Sequence, residues 1–336
     1  MARPRSEQTL MVKAKLIARL KDGFHPPGQR FFSNRALSAH FGISYQTAHR
    51  LISELVGDGW LERRPSAGTY VSGPSVVWQG AALVFHERAK RDGSFGARLL
   101  TDLRHALTQA GIESKMVWSH DEEAAAPGAR WLPVLWECPL TMARLAGARR
   151  FLVVLNDSPP PGLASSFVDS VACDDFSGGA AAAELLRTLG PPRKLAILAG
   201  PKQDRRSLQR VAGFQSLSPK SEVFWAESWY AESAARIAER IAARNFVGVF
   251  CCNDRLAEAL LASGTAAAVV GFDDAPVAEQ VNLTTIAIPW AEMVAGAVEI
   301  IRRRIAGNTG ATAKLIFAPR PVMRASMAWT QKIGES

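Results

Sequence analysis

Apolar residues at Leu10, Val12, Leu16, Ile17 and Leu20 recur near helical spacing and predict a helix from about Glu7 to Lys21, which "DGFHPPGQR" then breaks. A second helix fits Asn34 to Phe41 and stops at Gly42; a third opens at Ser44, a good N-cap. In that third helix Ala48, Leu51, Ile52 and Leu55 follow the i, i+3, i+4, i+7 pattern, so they face inward while Gln46, Arg50 and Ser53 face out. "GWLERRPSAGTYV" predicts two short strands around "PSAG".

From Val76 onward the texture changes. The runs "AALVFHE", "SKMVWS", "LPVLWE", "FLVVLN", "KLAILAG", "SEVFWAE", "VGVFCCND" and "AAVVGFDD" are continuously apolar rather than alternating, as expected of strands covered on both faces. Helical segments such as "ARLLTDLRHALTQAG", "GGAAAAELLRTLG" and "SAARIAERIAAR" lie between several of them, the pattern of right-handed βαβ units in parallel sheets. Residues 72 to 79, "SGPSVVWQ", read as a short linker between the two textures.

Composition sharpens this division. The chain has 336 residues and 48% apolar content, enough for two to three packed domains. Residues 1 to 75 hold eleven Lys/Arg against five Asp/Glu, a surplus of six within a total of +9. A small basic module facing a polyanion, joined to a nearly neutral body, accounts for that asymmetry, although an ordinary solvated surface would too. The amino terminus "MARPRSEQTLMVKAKLIARL" lacks the uninterrupted apolar core of an export signal, and no apolar run is long enough to span a bilayer; a cytoplasmic, non-membrane protein is expected. Cys138, Cys173, Cys251 and Cys252 show no CxxC spacing and are expected to be buried free thiols.

Two helices joined by a tight turn, the second capped by Ser44 with polar groups early in its length, suit insertion of that helix into a major groove, with the basic hairpin as a wing. On this reading Gln46 reads adenine edges, Tyr45 and Thr47 hydrogen-bond phosphate, and Arg50, Arg63 and Arg64 add salt-sensitive backbone contacts. A three-helix protein-interaction module is the alternative. The run "PPGQRFFSNRALSAHFGISYQTAHRLISELVGDGWLERRPSAGTYV" resembles the GntR-type winged helix domain. That resemblance implies DNA contacts by Arg35, Tyr45, Gln46, Thr47, His49 and Gly68, in a chain that departs from commoner members by carrying Tyr45 and His49 where arginine often stands.

In the body, polar residues gather at the carboxyl ends of strands, where doubly wound sheets place their ligand groups. Asn253 and Asp254 follow one strand, Asp273 and Asp274 another, Asn156 and Asp157 a third, and Arg210 lies in "SLQRVAGF". With Trp229, Trp290 and Phe95 as candidate walls, these suit a polyhydroxylated ligand, since hydroxyls donate and accept while a ring's CH face stacks on indole. The same aspartates equally fit caps of helices and turns, and that reading is preferred for Asp254 and Asp274. The sequence contains no nucleophile-base pair, metal cluster or phosphate loop, so neither an enzyme nor a cofactor is expected.

"VACDDFSGGAAAAELLRTLG", "LAILAGP", "SLQRVAGF", "FCCNDRLAEALL", "VVGFDDAP", "LTTIAIPWAEMVAGAVEIIRRRIAG" and "APRPVMRAS" arrive in the order of the effector domain of the lactose/galactose repressor (LacI/GalR) family, which is similar in fold to periplasmic sugar-binding proteins. The resemblance implies an α/β fold class: an N-terminal winged helix-turn-helix plus a type I periplasmic-binding-protein-like domain of two doubly wound parallel subdomains. It implies ligand contacts by Arg210, Asn253, Asp273, Trp229 and Trp290, with Phe95 and Asn156, to a small sugar- or nucleoside-like effector, a sugar or related polyol being favoured. It also implies a homodimer on a double-stranded DNA operator, with repression the favoured sign. The expected domains are residues 1–75, a linker at 76–79, and 80–336, the last in two lobes of about 80–170 with 288–311 and 171–287 with 312–336. "SHDEEAAAPGARW" and "ASGTAAA" are shorter than the family's segments, which leaves open a degenerate, ligand-free cleft. A cytoplasmic carbohydrate-binding protein that does not bind DNA is the third possibility.

Overall fold

The computed structural model describes residues 7–21, 24–25, 28–72, 78–120, 123–157, 159, 165–189 and 195–327. Of the expected linker, residues 76 and 77 lie outside the described residues, as do parts of the predicted break at 22–30.

Three helices open the chain, α1 (Glu7–Lys21), α2 (Asn34–Phe41) and α3 (Tyr45–Gly57), followed by the hairpin β1 (Leu61–Arg64) and β2 (Gly68–Val71). Their boundaries follow from local chemistry. Ser33 Oγ accepts from the Ala36 N–H, Ser44 Oγ accepts from the Thr47 N–H, and Gly42 ends α2 at φ 62° in the left-handed region that glycine enters without Cβ strain. The predicted inward set Ala48, Leu51, Ile52 and Leu55 is buried with Val12, Leu16, Leu20, Leu37, Ile43, Leu61 and Val71 in one small core.

The remaining strands form two six-stranded sheets. The first contains β3 (Gly80–His86), β4 (Ser114–Ser119), β5 (Trp131–Trp136), β6 (Leu152–Leu155) and β7 (Val168–Cys173), with α4 (Phe95–Gln109) and α5 (Pro139–Gly147) between strands. The second is built through α6 (Asp175–Arg187), β8 (Leu195–Ala199), α7 (Arg205–Leu217), β9 (Glu222–Trp225), α8 (Ala231–Ala242), β10 (Gly248–Cys251), α9 (Asp254–Ala262), β11 (Ala268–Asp273), α10 (Pro276–Gln280) and β12 (Thr284–Ala287). After α11 (Trp290–Ile305) the chain adds β13 (Lys314–Phe317) to the first sheet and β14 (Arg320–Val322) to the second. The orders are β13-β7-β6-β5-β3-β4 and β14-β12-β11-β10-β8-β9, with β3 to β7 and β8 to β12 paired in parallel and β14 antiparallel to β12. In each sheet the chain steps outward once and then reverses, between β8 and β10 in the second, and such a reversal opens a crevice at the strands' carboxyl ends.

The chain divides into two compact units, residues 1–91, 96–172 and 294–315, and residues 92–95, 173–293 and 316–336. The winged helix therefore falls in the same unit as the first sheet. Strands β3, β6, β8 and β10 are buried throughout, as their continuous apolar runs require; β4 and β9 stand at sheet edges and are half-exposed, so coverage on both faces does not extend to them. Among the described residues no helix is long and apolar enough to cross a membrane.

Each unit contains a buried arginine held by carboxylate. In the first, Arg304 at the end of α11 makes a bidentate pair with Asp169 of β7 at 2.7 and 3.0 Å and donates to the carbonyls of Asn308, Gly310 and Ala311, both ionic side chains being fully buried. In the second, α6 and α7 approach backbone to backbone. A Cβ on Gly179 would lie 2.0 Å from the Arg210 carbonyl oxygen, and one on Gly213 would lie 1.9 Å from that of Phe176. Gly213→Ala should therefore force the helices apart and cost roughly 1–3 kcal/mol, seen as a lower urea midpoint with little change in slope.

Candidate DNA interface and polar cluster

On the winged helix, the outward face of α3 is open. Ser44, Tyr45, Gln46, His49 and Arg50 are exposed and Thr47 is half-buried, its hydroxyl 2.9 Å from Ser44 Oγ; Arg35 on α2 is exposed as well. This follows from helical periodicity, since the opposite face is consumed by the core. The wing turns through Ser66 and Gly68, both at positive φ. Its arginines are partly engaged: Arg63 donates to Ser53 Oγ at 2.8 Å, while Arg64 pairs with Glu62 at 2.6 Å and lies 4.2 Å from the Tyr70 ring centroid. Arg50 is 4.0 Å from Glu54. Sequence reasoning missed Arg30. Backbone pairing of Phe31 with Thr69 and of Gly28 and Gln29 with Val71 lays that segment along β2, which puts the exposed Arg30 guanidinium against Gly68. Only a non-local pairing brings it there, so no local pattern announces it.

In the second unit, six of the seven candidate ligand residues form one connected cluster. Arg210, 2% exposed, projects from α7 with Nε donating to Asp175 at 2.8 Å and Nη1 donating to the Cys252 carbonyl at 2.6 Å and to Asp273 at 3.1 Å. Its guanidinium carbon is 3.6 Å from the Phe272 ring centroid. Asp273 ends β11 at φ 106°, and its carbonyl accepts from Trp290 Nε1 at 3.3 Å; the Trp290 ring meets Phe95 at 4.6 Å between centroids. Asn253 caps α9 through the Leu256 N–H at 2.8 Å and donates to the Trp229 carbonyl at 2.8 Å. Trp229 Nε1 in turn donates to Asp204, the N-cap of α7, at 2.9 Å. Asn156 lies in the other unit, at the end of β6 with φ 53°, its N–H donating to the Val171 carbonyl at 2.7 Å.

The preferred reading of Asp254 as a helix cap needs correction, because Asn253 does that capping. Asp254 instead braces the sheet, accepting from Thr285 Oγ1 at 2.5 Å and from the Ala275 N–H at 2.7 Å, with Gly271 leaving room for it. Asp274 pairs with Arg324 at 2.8 Å. Asp204 and Arg206, joined at 2.6 Å, belong to the cluster although no sequence pattern singled them out. All four cysteines are free and buried.

Burial sets the electrostatics. It pushes the Asp273 carboxyl up to about 6 against the pull of Arg210, with Asp175 adding to the rise. Burial and then the charge of Asp273 hold Asp254 well above the usual carboxylate range. Burial would also raise Asp204, but the hydrogen bond and charge of Arg206, with the Trp229 N–H, win and lower it to about 2. Arg210 is raised, its two carboxylates overcoming desolvation. A lowered carboxylate contributes stability above its unfolded pKa near 4 that is lost as pH falls through the folded value. Asp204→Asn should thus cost about 2 kcal/mol at neutral pH, with the gap to wild type closing as pH falls from about 4 towards 2 in urea titrations.

Comparison with known proteins agrees with this architecture. The family model for bacterial regulatory proteins of the gntR family matches residues 8–71, and that for the periplasmic binding protein-like domain matches residues 183–327. An arabinose metabolism transcriptional repressor of Halalkalibacterium halodurans is 21% identical over 94% of this chain and 96% of that protein. The solved transcriptional regulator CelR in complex with cellobiose superposes with a TM-score of 0.64 at 21% identity, covering 96% of this chain and 100% of that one. A LacI family regulator from Enterococcus faecium with bound ribose gives 0.61 at 18% identity, covering 74% and 100%. The chain is a DNA-binding transcriptional regulator in which a GntR-type winged helix is joined to a periplasmic-binding-protein-like body.

Proposed function

We propose that this regulator is a cytoplasmic, non-enzymatic repressor that binds its operator as a homodimer and answers to a small neutral sugar or polyol. The observation that carries the effector half is the convergence of Asp273, Arg210, Asn253, Trp229 and Trp290 on one cluster after β8, β10 and β11, beside the reversal of strand order. Carboxylate acceptors, guanidinium donors and indole faces are what a polyhydroxylated ring needs. The cellobiose and ribose seen in solved neighbours, and the arabinose role of the relative, support the same class. Ser44, Tyr45, Gln46, Thr47, His49 and Arg35 would meet the groove, with Arg50, Arg63, Arg64, Arg30 and the backbone at Gly68 on phosphates. Effector binding can shift operator affinity only as far as the sugar distinguishes the two states of the protein.

One observation favours a second reading, constitutive DNA binding with a closed cleft. The candidate ligand groups already satisfy one another: Arg210 is nearly inaccessible, Asn253 is committed at both ends, and Trp290 rests on Phe95.

A thermal-shift series with arabinose, ribose and cellobiose separates the two. A true effector at 100 times its dissociation constant should raise the melting temperature by roughly 5–10 °C, and Asp273→Asn should remove that rise while leaving DNA binding intact; no shift with any sugar supports the closed cleft. For the DNA face, Arg50→Ala should weaken binding and reduce the slope of log K against log salt by about one. An unchanged slope would remove Arg50 from the phosphate contacts.

A further inference from the structure

Helix α5 ends in a Schellman turn: the Arg149 N–H donates to the Ala146 carbonyl and the Arg150 N–H to that of Leu145, both at 3.0 Å. The residue after such a cap adopts left-handed φ and is commonly glycine, yet here it is Arg149 at φ 56°. The side chain that bears this strain does not serve α5. It reaches into the winged helix, where Nη1 donates to the Gly59 carbonyl at 2.8 Å and Nη2 to the Ser72 carbonyl at 3.3 Å. Those carbonyls lie on the two chains that enter and leave the wing, which are tied together by the Ser72 N–H to Trp60 carbonyl bond of 2.9 Å. The guanidinium also lies over the Trp60 ring, 4.1 Å from its centroid.

Two other contacts join the same partners. Ser166 Oγ donates to the Leu20 carbonyl at the end of α1, at 3.2 Å, and Gly28 lies against the Thr309–Gly310 turn that Arg304 secures. The polar face of α3 and the wing tip stay exposed with these contacts in place, so the docked head is competent to meet DNA.

We infer that Arg149 is a positioning residue for operator binding: by bridging the two chains at the base of the wing it fixes the orientation of the reading head on the first α/β subdomain. The inference rests on the DNA-binding role and is independent of any effector. It differs from a phosphate contact, because the guanidinium is committed to carbonyls and an indole face. It also differs from a role in folding the body, because glycine suits the left-handed turn better than arginine does.

Arg149→Gly in the full chain separates these roles. The probe is duplex DNA enriched from a random library by the wild-type chain, so failure to enrich any duplex would count against DNA binding itself rather than against Arg149. The variant should bind that duplex at least tenfold more weakly with an unchanged salt slope, and amide hydrogen exchange over residues 60–72 should quicken while residues 139–155 keep wild-type protection. Affinity within twofold of wild type, or unchanged exchange at the wing base, overturns the assignment. So does a slope lowered by about one, which would place Arg149 on phosphate, or lost protection across α5 and β6, which would make it a folding residue. Arg149→Lys, which keeps the charge but cannot bridge two carbonyls in one plane, should behave like the glycine variant; full recovery by lysine also overturns it.

Discussion

A guanidinium taken out of water must find its full complement of acceptors, and the second unit is organised around that requirement for Arg210. Its partners come from the start of α6, the end of β10 and the end of β11, while α7 carries the arginine itself. Without either carboxylate the guanidinium would be a stranded buried charge, which costs about 3–5 kcal/mol. The glycines at the α6–α7 crossing follow from the same demand, since they bring the helix bearing Arg210 close enough for Asp175 to reach it. Asp273 then stands where β11 ends, in a backbone conformation that non-glycine residues seldom adopt. Strain and perturbed carboxylates together, close to a reversal of strand order, are the features on which the proposed effector site rests.

The first unit repeats the device with Arg304 and Asp169, to a different end. That pair, with three carbonyls of the following turn, secures the segment lying against Gly28 of the winged helix. Buried ion pairs add little net stability compared with apolar packing, but they penalise any arrangement that separates the partners. In both units the arginine joins elements distant in sequence, so its geometry specifies which loops meet.

The winged helix works by the opposite logic. Its core is an apolar cluster with Thr9 and His25 buried beside it, its caps are local, and its candidate DNA-contact residues are those the core does not use. Among the described residues, contacts from Arg149, Ser166 and the Thr309–Gly310 turn join this module to the rest of the first unit.

Local signals determined much of this protein. Helical periodicity and the serine caps placed α1 to α3, the buried face of α3 and hence its exposed face; "PSAG" placed the wing; continuous apolar runs placed eight strands of the α/β body, because each of these features is set by residues within a few positions of one another. Strand β7 escaped because Asp169 interrupts its apolar run, and β12 because it opens on Thr284 and Thr285; those polar groups are buried only because Arg304, Arg324 and Asp254 meet them from remote parts of the chain. For the same reason the residues of the polar cluster could be named from strand ends, but their pairing could not. That Asn253 caps a helix while Asp254 braces a sheet, that Asp204 and Arg206 join the cluster, and that Arg149 reaches the wing are matters of packing between distant segments, which only the tertiary structure decides.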